Sequence, residues 1–384
     1  MAFEKVMKFG GAALADGPAV ERVCGLVRDF GGDRPIVVVS AHQGVTAMLD
    51  ALARAATQGA IDSDRFRIRH RGLLRQLALD AELLNRYFAE LVSLLAEIAR
   101  RQRLLPGERD LVLSYGERMS ARIVAHALKK IGVPATPADA FDLGLTTDSN
   151  HGAARPLPES RLAVRAALLE IPGVPVVTGF LAKDLHGNLT TLGRNGSDLT
   201  AALVAEAVGA AELELWKAVP GMMTADPALV PDARVIERLS FEDAAALAAQ
   251  GAEILHPEAL APALRAGVAV RFLDVRAPRS AGTVLDAGSA TAAPVGIAVR
   301  RRFQRAGADA EECALVALVG ASHADLAVPA RALAALSRAG VQLVETLVGE
   351  DRVSHRVVVH ERDLERAVRA IHAEFFAAES ARVP

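Results

Sequence analysis

The run TTLGRNGSD at 190–198 sets an arginine, a hydroxyl and a carboxylate on one glycine-loosened turn, which opens directly into an alanine-rich helix, Leu199 to Val208. The start of a helix leaves backbone N–H groups unpaired and carries the positive end of the macrodipole, so small residues before it make an anion site. Phosphate chemistry is the first reading of this turn, and an ordinary Ser-Asp helix cap is the alternative when the motif is taken alone. At the N-terminus Lys8 leaves a strand into Gly10 and Gly11. Missing side chains there let backbone amides approach a phosphate while the lysine adds a point charge, although a solvated lysine beside a tight turn would look the same. The loop SAHQGVT, Ser40 to Thr46, ends a β-rich run and begins a helix, offering two hydroxyls and exposed amides. Finally, Gly116, Glu117 and Arg118 put a charged pair at what reads as another helix start.

These residues need elements to position them. Residues 3–9 read as a strand, followed by a glycine turn, a helix from about Ala19 to Phe30 and a strand from Pro35, the opening of a parallel α/β unit. Residues 62–104 carry leucines at helical spacing with no β-rich run and are expected to form an inserted helical hairpin. A long helix is expected over 111–132, with Ser114 or Gly116 near its start and Gly132 at its end. VPVVTGF (174–180) and ELELW (212–216) read as buried strands, and Asp184 with His186, Gly187 and Asn188 turns a hairpin over 180–192. In parallel α/β sheets ligands collect where strand C-terminal ends meet helix starts. Lys8, then Ser40 with Thr46, then Arg194 with Ser197 and Asp198 fall at three such junctions, and Glu117 adds a fourth polar group.

Composition narrows the class. A chain of 384 residues calls for two domains, or one large and one small. Forty-four Lys and Arg against 46 Asp and Glu give a net charge of -2, which excludes binding through a general basic field, so no nucleic-acid partner is expected. No run of about 18 apolar residues suggests a membrane span, and the start MAFEKVMKFGG lacks a signal-peptide pattern, so a cytoplasmic protein with no membrane partner is expected. Cys24 and Cys313 are far apart and read as reduced core residues. His42, His126, His151, His186 and His256 show no ligand spacing with a carboxylate, so no metal site is expected from them. Over 286–311 Ala, Gly and Pro and then Arg300, Arg301, Arg302 and Arg305 replace the periodic pattern, and a linker is expected there. Beyond it the pattern β-α-β-β-α is ferredoxin-like, with an open sheet face that suits dimerisation.

Together and in this order, KFGG (8–11), SAHQGVT (40–46), SYGERMSA (114–121), TDSNHGAARP (147–156), VPVVTGF, TTLGRNGSDLTAAL (190–203), ELELWKAVPGMMTADPALVPDAR (212–234) and QGAEILHPEAL (250–260) resemble the aspartate kinase family of the amino-acid kinase superfamily. The resemblance covers nearly the whole chain. Sibling kinases for glutamate, acetylglutamate, carbamate and UMP share the GSD-type turn and the VPG-type loop, but not the SYGERMSA, TDSN and LHP blocks together. The resemblance implies an α/β fold, a mainly parallel sheet sandwiched by helices over 1–285, with the hairpin at 62–104, the linker at 286–311 and a single small ferredoxin-like ACT domain over 312–384. It implies ATP-dependent phosphorylation of the side-chain carboxylate of L-aspartate, or a close acidic analogue, to an acyl phosphate, with Mg2+ arriving on ATP.

Carried over residue by residue, the resemblance makes Lys8 the group that neutralises the transferring phosphoryl and Asp198 the catalytic aspartate that organises it. Gly10 and Gly11 would cradle phosphate. Arg194 would pair with the substrate α-carboxylate, Glu117 would meet its α-ammonium, and Ser40, Thr46, Phe180 and Ser197 would complete the amino-acid pocket. Trp216 and Met223 would wall the adenosine, with Lys217 and Asp226 as polar contacts. The nucleotide side departs from the family pattern: Ala12 and Ala13 replace Thr-Ser, Lys217 and Ala218 replace Thr-Asp, and Glu253 stands where many members carry lysine. The alternative is therefore a non-catalytic amino-acid-binding homologue with a degraded nucleotide site. Family members usually carry two ACT modules, whereas only 312–376 is available for one here, so little feedback by lysine or threonine is expected.

Overall fold

Continuous apolar runs form the central strands, as strands covered on both faces require. In the computed structural model, which describes residues 3–251, 257–286, 288, 293–303, 312–320, 325–348 and 353–377, β2 (Pro35–Val39) is such a run, and β1 (Lys5–Phe9) beside it is buried from Val6 to Phe9, Lys8 included. Between them lies α1 (Gly17–Phe30), begun by Pro18 and by Asp16, whose Oδ1 accepts from the Ala19 N–H at 2.9 Å. After α2 (Val45–Ala56) come α3 (Asp64–Gln76) and α4 (Asn85–Arg101), the inserted hairpin, which buries Phe66, Phe88, Leu91 and Leu95 in the core shared with α2.

The next helix, α5 (Pro106–Lys130), starts earlier than the sequence suggests. Pro106 opens its first turn, and Glu108 Oε2 accepts from the Leu105 N–H at 3.0 Å. Ser114, Gly116 and Glu117 therefore lie inside the helix rather than at its start, which corrects the reading of Glu117 as a helix-end residue. The chain continues through β3 (Ala135–Ala138), β4 (Thr146–Thr147), α6 (Ser160–Glu170), β5 (Val174–Thr178), β6 (Leu181–Asp184), β7 (Leu189–Thr191), α7 (Gly196–Val208) and β8 (Glu212–Lys217). β6 and β7 form the expected antiparallel hairpin. Then follow β9 (Arg238–Ser240), α8 (Phe241–Ala249), α9 (Pro257–Arg265), β10 (Ala269–Asp274) and β11 (Thr283–Asp286).

The chain divides into two units, residues 1–219 with 258–279, and residues 220–257 with 280–384. In the first, the strands run β3-β5-β2-β1-β8-β10, all parallel. Register sets the strand ends abreast: Phe9 pairs with Val39 and with Trp216, and Val39 pairs with Thr178. α7 packs on β1, β2 and β8, and α5 on β3 and β5.

The second unit contains β9 paired with β11, and an antiparallel sheet of β12 (Gly296–Phe303), β13 (Cys313–Val319), β14 (Leu343–Val348) and β15 (Ser354–His360) in the order β12-β13-β15-β14. α10 (Ala327–Arg338) and α11 (Leu364–Phe376) pack together, and α11 also packs on β13 and β15. This ACT-like unit differs from the expected domain plan in two respects. β12 lies within the stretch read as a linker, where its arginines extend an edge strand that begins with the buried Gly296, Ile297 and Ala298; such charges are usual on edge strands. Residues 220–257 also belong here and not to a domain ending at 285, because Ala225, Leu229 and Val230 share a core with Ile297, Val316 and Ile371. The Ile297 N–H donates to the Thr224 carbonyl at 2.8 Å, and Thr224 Oγ1 lies 2.9 Å from His372 Nε2. Among the described residues no helix is long and apolar enough to cross a membrane, and Cys24 and Cys313 are both buried and free.

Candidate active site

Aligned strand ends deliver the loops that follow them to one place. The Ser40 N–H donates to the Phe9 carbonyl at 3.1 Å, and the Gly179 N–H to the Val39 carbonyl at 2.9 Å. They border a cleft of about 420 Å³ lined by Lys8, Gly11, Ser40, Thr46, Glu117, Phe180, Ser197, Asp198 and Lys217, with Ala12, Ala41 to Gly44, Gly193, Asn195 and Gly196 between them.

At the cleft floor Lys8 Nζ lies 2.5 Å from Asp198 Oδ1, and Lys217 Nζ lies 3.1 Å from Asp198 Oδ2. Two ammonium groups thus flank one buried carboxylate. Burial opposes ionisation of Asp198, but the charges of Lys8 and Lys217 outweigh it and hold the carboxyl at about 2. Burial lowers Lys8, opposed by the charge of Asp198.

From α5, the buried Glu117 accepts a hydrogen bond on Oε1 from the Ala41 N–H at 3.0 Å. Its Oε2 is buried without a hydrogen-bond partner among the described residues. Burial pushes this carboxyl up to about 7, although the Ala41 amide and Lys8 favour its charged form. Gly116 permits the approach, since a Cβ there would lie 2.7 Å from Ala41 Cβ. The loop is braced from other sides as well. His42 Nδ1 lies 2.6 Å from the Leu14 carbonyl, and burial pushes this ring down to about 4, so it is neutral. Arg69 of the inserted hairpin donates to the Gln43 carbonyl at 2.6 Å.

Phe180 adopts φ 67°, a left-handed conformation rare for a bulky residue. Its N–H donates to Thr200 Oγ1 at 3.0 Å, and its carbonyl accepts from the Leu192 N–H at 3.0 Å. Thr200 Oγ1 also donates to the Gly196 carbonyl at 3.0 Å, which ties the Phe180 loop to the start of α7.

A buried lysine–aspartate pair joined by a half-buried second lysine at parallel strand ends, facing a buried carboxylate across one cleft, is a site built for an anion on one side and a cation on the other. The model of the amino acid kinase family matches residues 4–274. The chain belongs to this family. Among curated relatives, Aspartokinase 1, chloroplastic, of Arabidopsis thaliana is 35% identical over 292 residues, covering 73% of this chain and 51% of the relative. Lysine-sensitive aspartokinase 3 of Escherichia coli (strain K12) is 36% identical over 292 residues, covering 73% of this chain and 63% of the relative. The chain spans about half the length of the plant relatives it matches. The crystal structure of E. coli aspartokinase III in complex with aspartate and ADP (R-state) superposes with a TM-score of 0.80 at 25% identity, covering 97% of this chain and 100% of that one.

In this member of the amino acid kinase family the cleft gathers Lys8, Gly11, Ser40, Thr46, Glu117, Phe180, Ser197, Asp198 and Lys217 of the expected site residues. Gly10 sits at its edge, where a Cβ would lie 3.6 Å from Lys8 Nζ. Arg194 does not line it; its side chain is exposed on the turn between Gly193 and Asn195. Trp216 is corrected. It is 1% exposed and stacks on Phe9 with ring centroids 6.1 Å apart, and its Nε1 donates to Glu214 Oε2 at 2.8 Å. Successive strand residues face opposite ways, so the strand that presents Lys217 to the cleft turns Trp216 into the core, and it cannot wall a nucleotide. Met223 and Asp226 belong to the second unit, where Asp226 Oδ1 accepts from the Ala228 N–H at 2.9 Å. Glu253 lies outside the described residues. Sequence reasoning missed Thr200 and the contact of Lys217 with Asp198; a threonine in the first turns of α7 was the signal for the former, while the latter is a pairing between distant segments.

Proposed function

We propose that the cleft transfers the terminal phosphoryl group of MgATP to the side-chain carboxylate of aspartate, or of a close acidic analogue, to give an acyl phosphate. The observation that carries the reading is the Lys8–Asp198–Lys217 group facing the unpartnered Glu117 Oε2 across one cleft. Two similarities support it: the curated relatives are aspartokinases, and the E. coli aspartokinase III of similar fold was crystallised with aspartate and ADP.

The donor set fits both substrates. Two ammonium groups gathered on one carboxylate put cationic donors at the cleft floor, which suits phosphate oxygens in a partly dehydrated site. Asp198, held anionic, keeps Lys8 Nζ directed at the reacting region, and Lys217 offers a second cation. Gly10 and Gly11 admit phosphate close to the backbone. Magnesium enters with the nucleotide, where it offsets phosphate charge; among the described residues no group of three or more His, Cys, Asp or Glu side chains is placed to cage a metal ion.

On the acceptor side, Glu117 receives the α-ammonium on the oxygen that lacks a partner. Ser40, Thr46 and Ser197 offer hydroxyls, and Phe180 closes the pocket. Arg194, exposed on its turn, is proposed to pair with the α-carboxylate. Dimerisation is proposed through the ACT-like sheet, whose edges are β12 and β14, and feedback by lysine or threonine is proposed to be slight.

The test is direct: purified protein with MgATP, aspartate and hydroxylamine is expected to form the hydroxamate. No product across a panel of acidic amino acids overturns the proposal, and calorimetric binding of aspartate without ATP turnover would instead favour a non-catalytic amino-acid-binding protein.

A further inference from the structure

Seven residues before Glu117 on α5, about two helical turns, lies a second buried carboxylate, Asp110, with 0% exposure. Its Oδ2 accepts from His151 Nδ1 at 3.0 Å, from the Gly152 N–H at 3.0 Å and from the Thr191 N–H at 3.1 Å, while Oδ1 accepts from Thr191 Oγ1 at 2.7 Å. Every one of these donors belongs either to the 148–153 loop or to the last residue of β7. The turn that carries Arg194, Ser197 and Asp198 begins two residues later and rests on the same loop: Gly193 has φ +73°, and a Cβ there would lie 3.1 Å from the Gly152 carbonyl and 3.3 Å from Ala153 Cα.

We propose that Asp110 is a positioning residue for acceptor binding, fixing the 193–198 turn through the 148–153 loop and Thr191. One helix then sets both walls of the pocket, Glu117 holding the Ser40 loop by the Ala41 amide and Asp110 holding the opposite turn. A carboxylate suits the task because it accepts on both oxygens and donates on neither; an amide in its place would point a donor at other donors. The kinetic part of the test rests on the proposed kinase reading, whereas the second part does not.

Asp110→Asn is expected to raise KM for the acidic acceptor at least tenfold and to change KM for ATP less than twofold. Hydrogen exchange, which needs no substrate, is expected to quicken over Thr191–Asp198 and to stay unchanged in β1 and β2. Thr191→Val removes only the hydroxyl contact and should show the same pattern at smaller amplitude; it decides the question if the first variant does not fold. Unchanged exchange at 191–198, equal loosening of both segments, or a parallel rise of both KM values overturns the inference. Absence of hydroxamate from the wild type would sink the kinase reading alone and leave exchange to decide this one.

Discussion

Lys8 Nζ and Asp198 Oδ1 are 2.5 Å apart with side chains only 6% and 5% exposed, and Lys217 meets the other oxygen of the same carboxylate. Removing one member of a buried pair leaves the other charge without compensation. The three groups are unequal in this respect, because Asp198 has two cationic partners.

Lys8→Met is therefore expected to lower kcat by roughly a thousandfold, the scale of losing one preorganised charge at a reacting centre, while costing little stability, since Lys217 still neutralises Asp198. Asp198→Asn should abolish turnover and destabilise the fold by about 3–5 kcal/mol, because it removes the carboxylate that compensates the buried Lys8 ammonium. Urea unfolding of the two variants checks the order; equal destabilisation would contradict it.

Glu117 carries the pH dependence. With its folded value at about 7, KM for the acceptor is expected to rise as pH falls through 7, because the protonated carboxyl no longer attracts an ammonium group. Since the folded value exceeds the ordinary 4.5, the folded state binds the extra proton between these values, and this group's contribution to stability falls as pH rises from 4.5 to about 7. Glu117→Gln should remove that slope, be more stable than wild type at pH 8, and bind the acceptor poorly at every pH. Thermal melts and KM at pH 5.5 and 8 test both halves.

Arg194 is exposed on its turn, so Arg194→Ala should leave Tm unchanged. It is expected to raise KM for the acceptor about a hundredfold with kcat little affected, the pattern of lost uniform binding. Arg194→Lys should not restore affinity, because a planar fork and a point charge bind a carboxylate differently. Full rescue by lysine would argue against bidentate pairing.

Thr200→Val leaves the Phe180 N–H without its partner while Phe180 stays at φ 67°. A loss of about 1–3 kcal/mol is expected from the orphaned amide, accompanied by weaker acceptor binding. Denaturant unfolding together with KM measures it; a change in stability alone would separate the Phe180 loop from the site.

Much of the site was legible because its residues cluster at strand ends, which glycine turns and β-rich runs mark in the sequence: Lys8, Ser40, Ser197 and Asp198 all follow that rule. The inserted hairpin was legible from leucine spacing alone. Other features depend on partners that one-dimensional patterns do not name. Glu117 read as a helix end because Ser114 and Gly116 resemble a start, while the effective start signals were Pro106 and Glu108. The resemblance made Trp216 an adenosine wall, but its inward direction is set by Phe9 on the neighbouring strand, which a linear motif does not name. β12 was hidden by alanine and glycine before a charged edge, and Asp110 is an unremarkable helix residue until Gly152 and Thr191 fold onto it.

The division of the chain has a consequence for anyone wishing to cut it. The polypeptide leaves the first unit at residue 219, lends 220–257 to the second, returns with 258–279 to supply β10, and leaves again. No single scission separates the two. Stopping synthesis at residue 285 would retain Ala225, Leu229 and Val230 but delete Ile297, Val316 and Ile371, against which they are buried, so that a fragment holding the whole first unit would carry a sticky apolar strip. A clean excision has to take both pieces of the second unit together and rejoin 219 to 258.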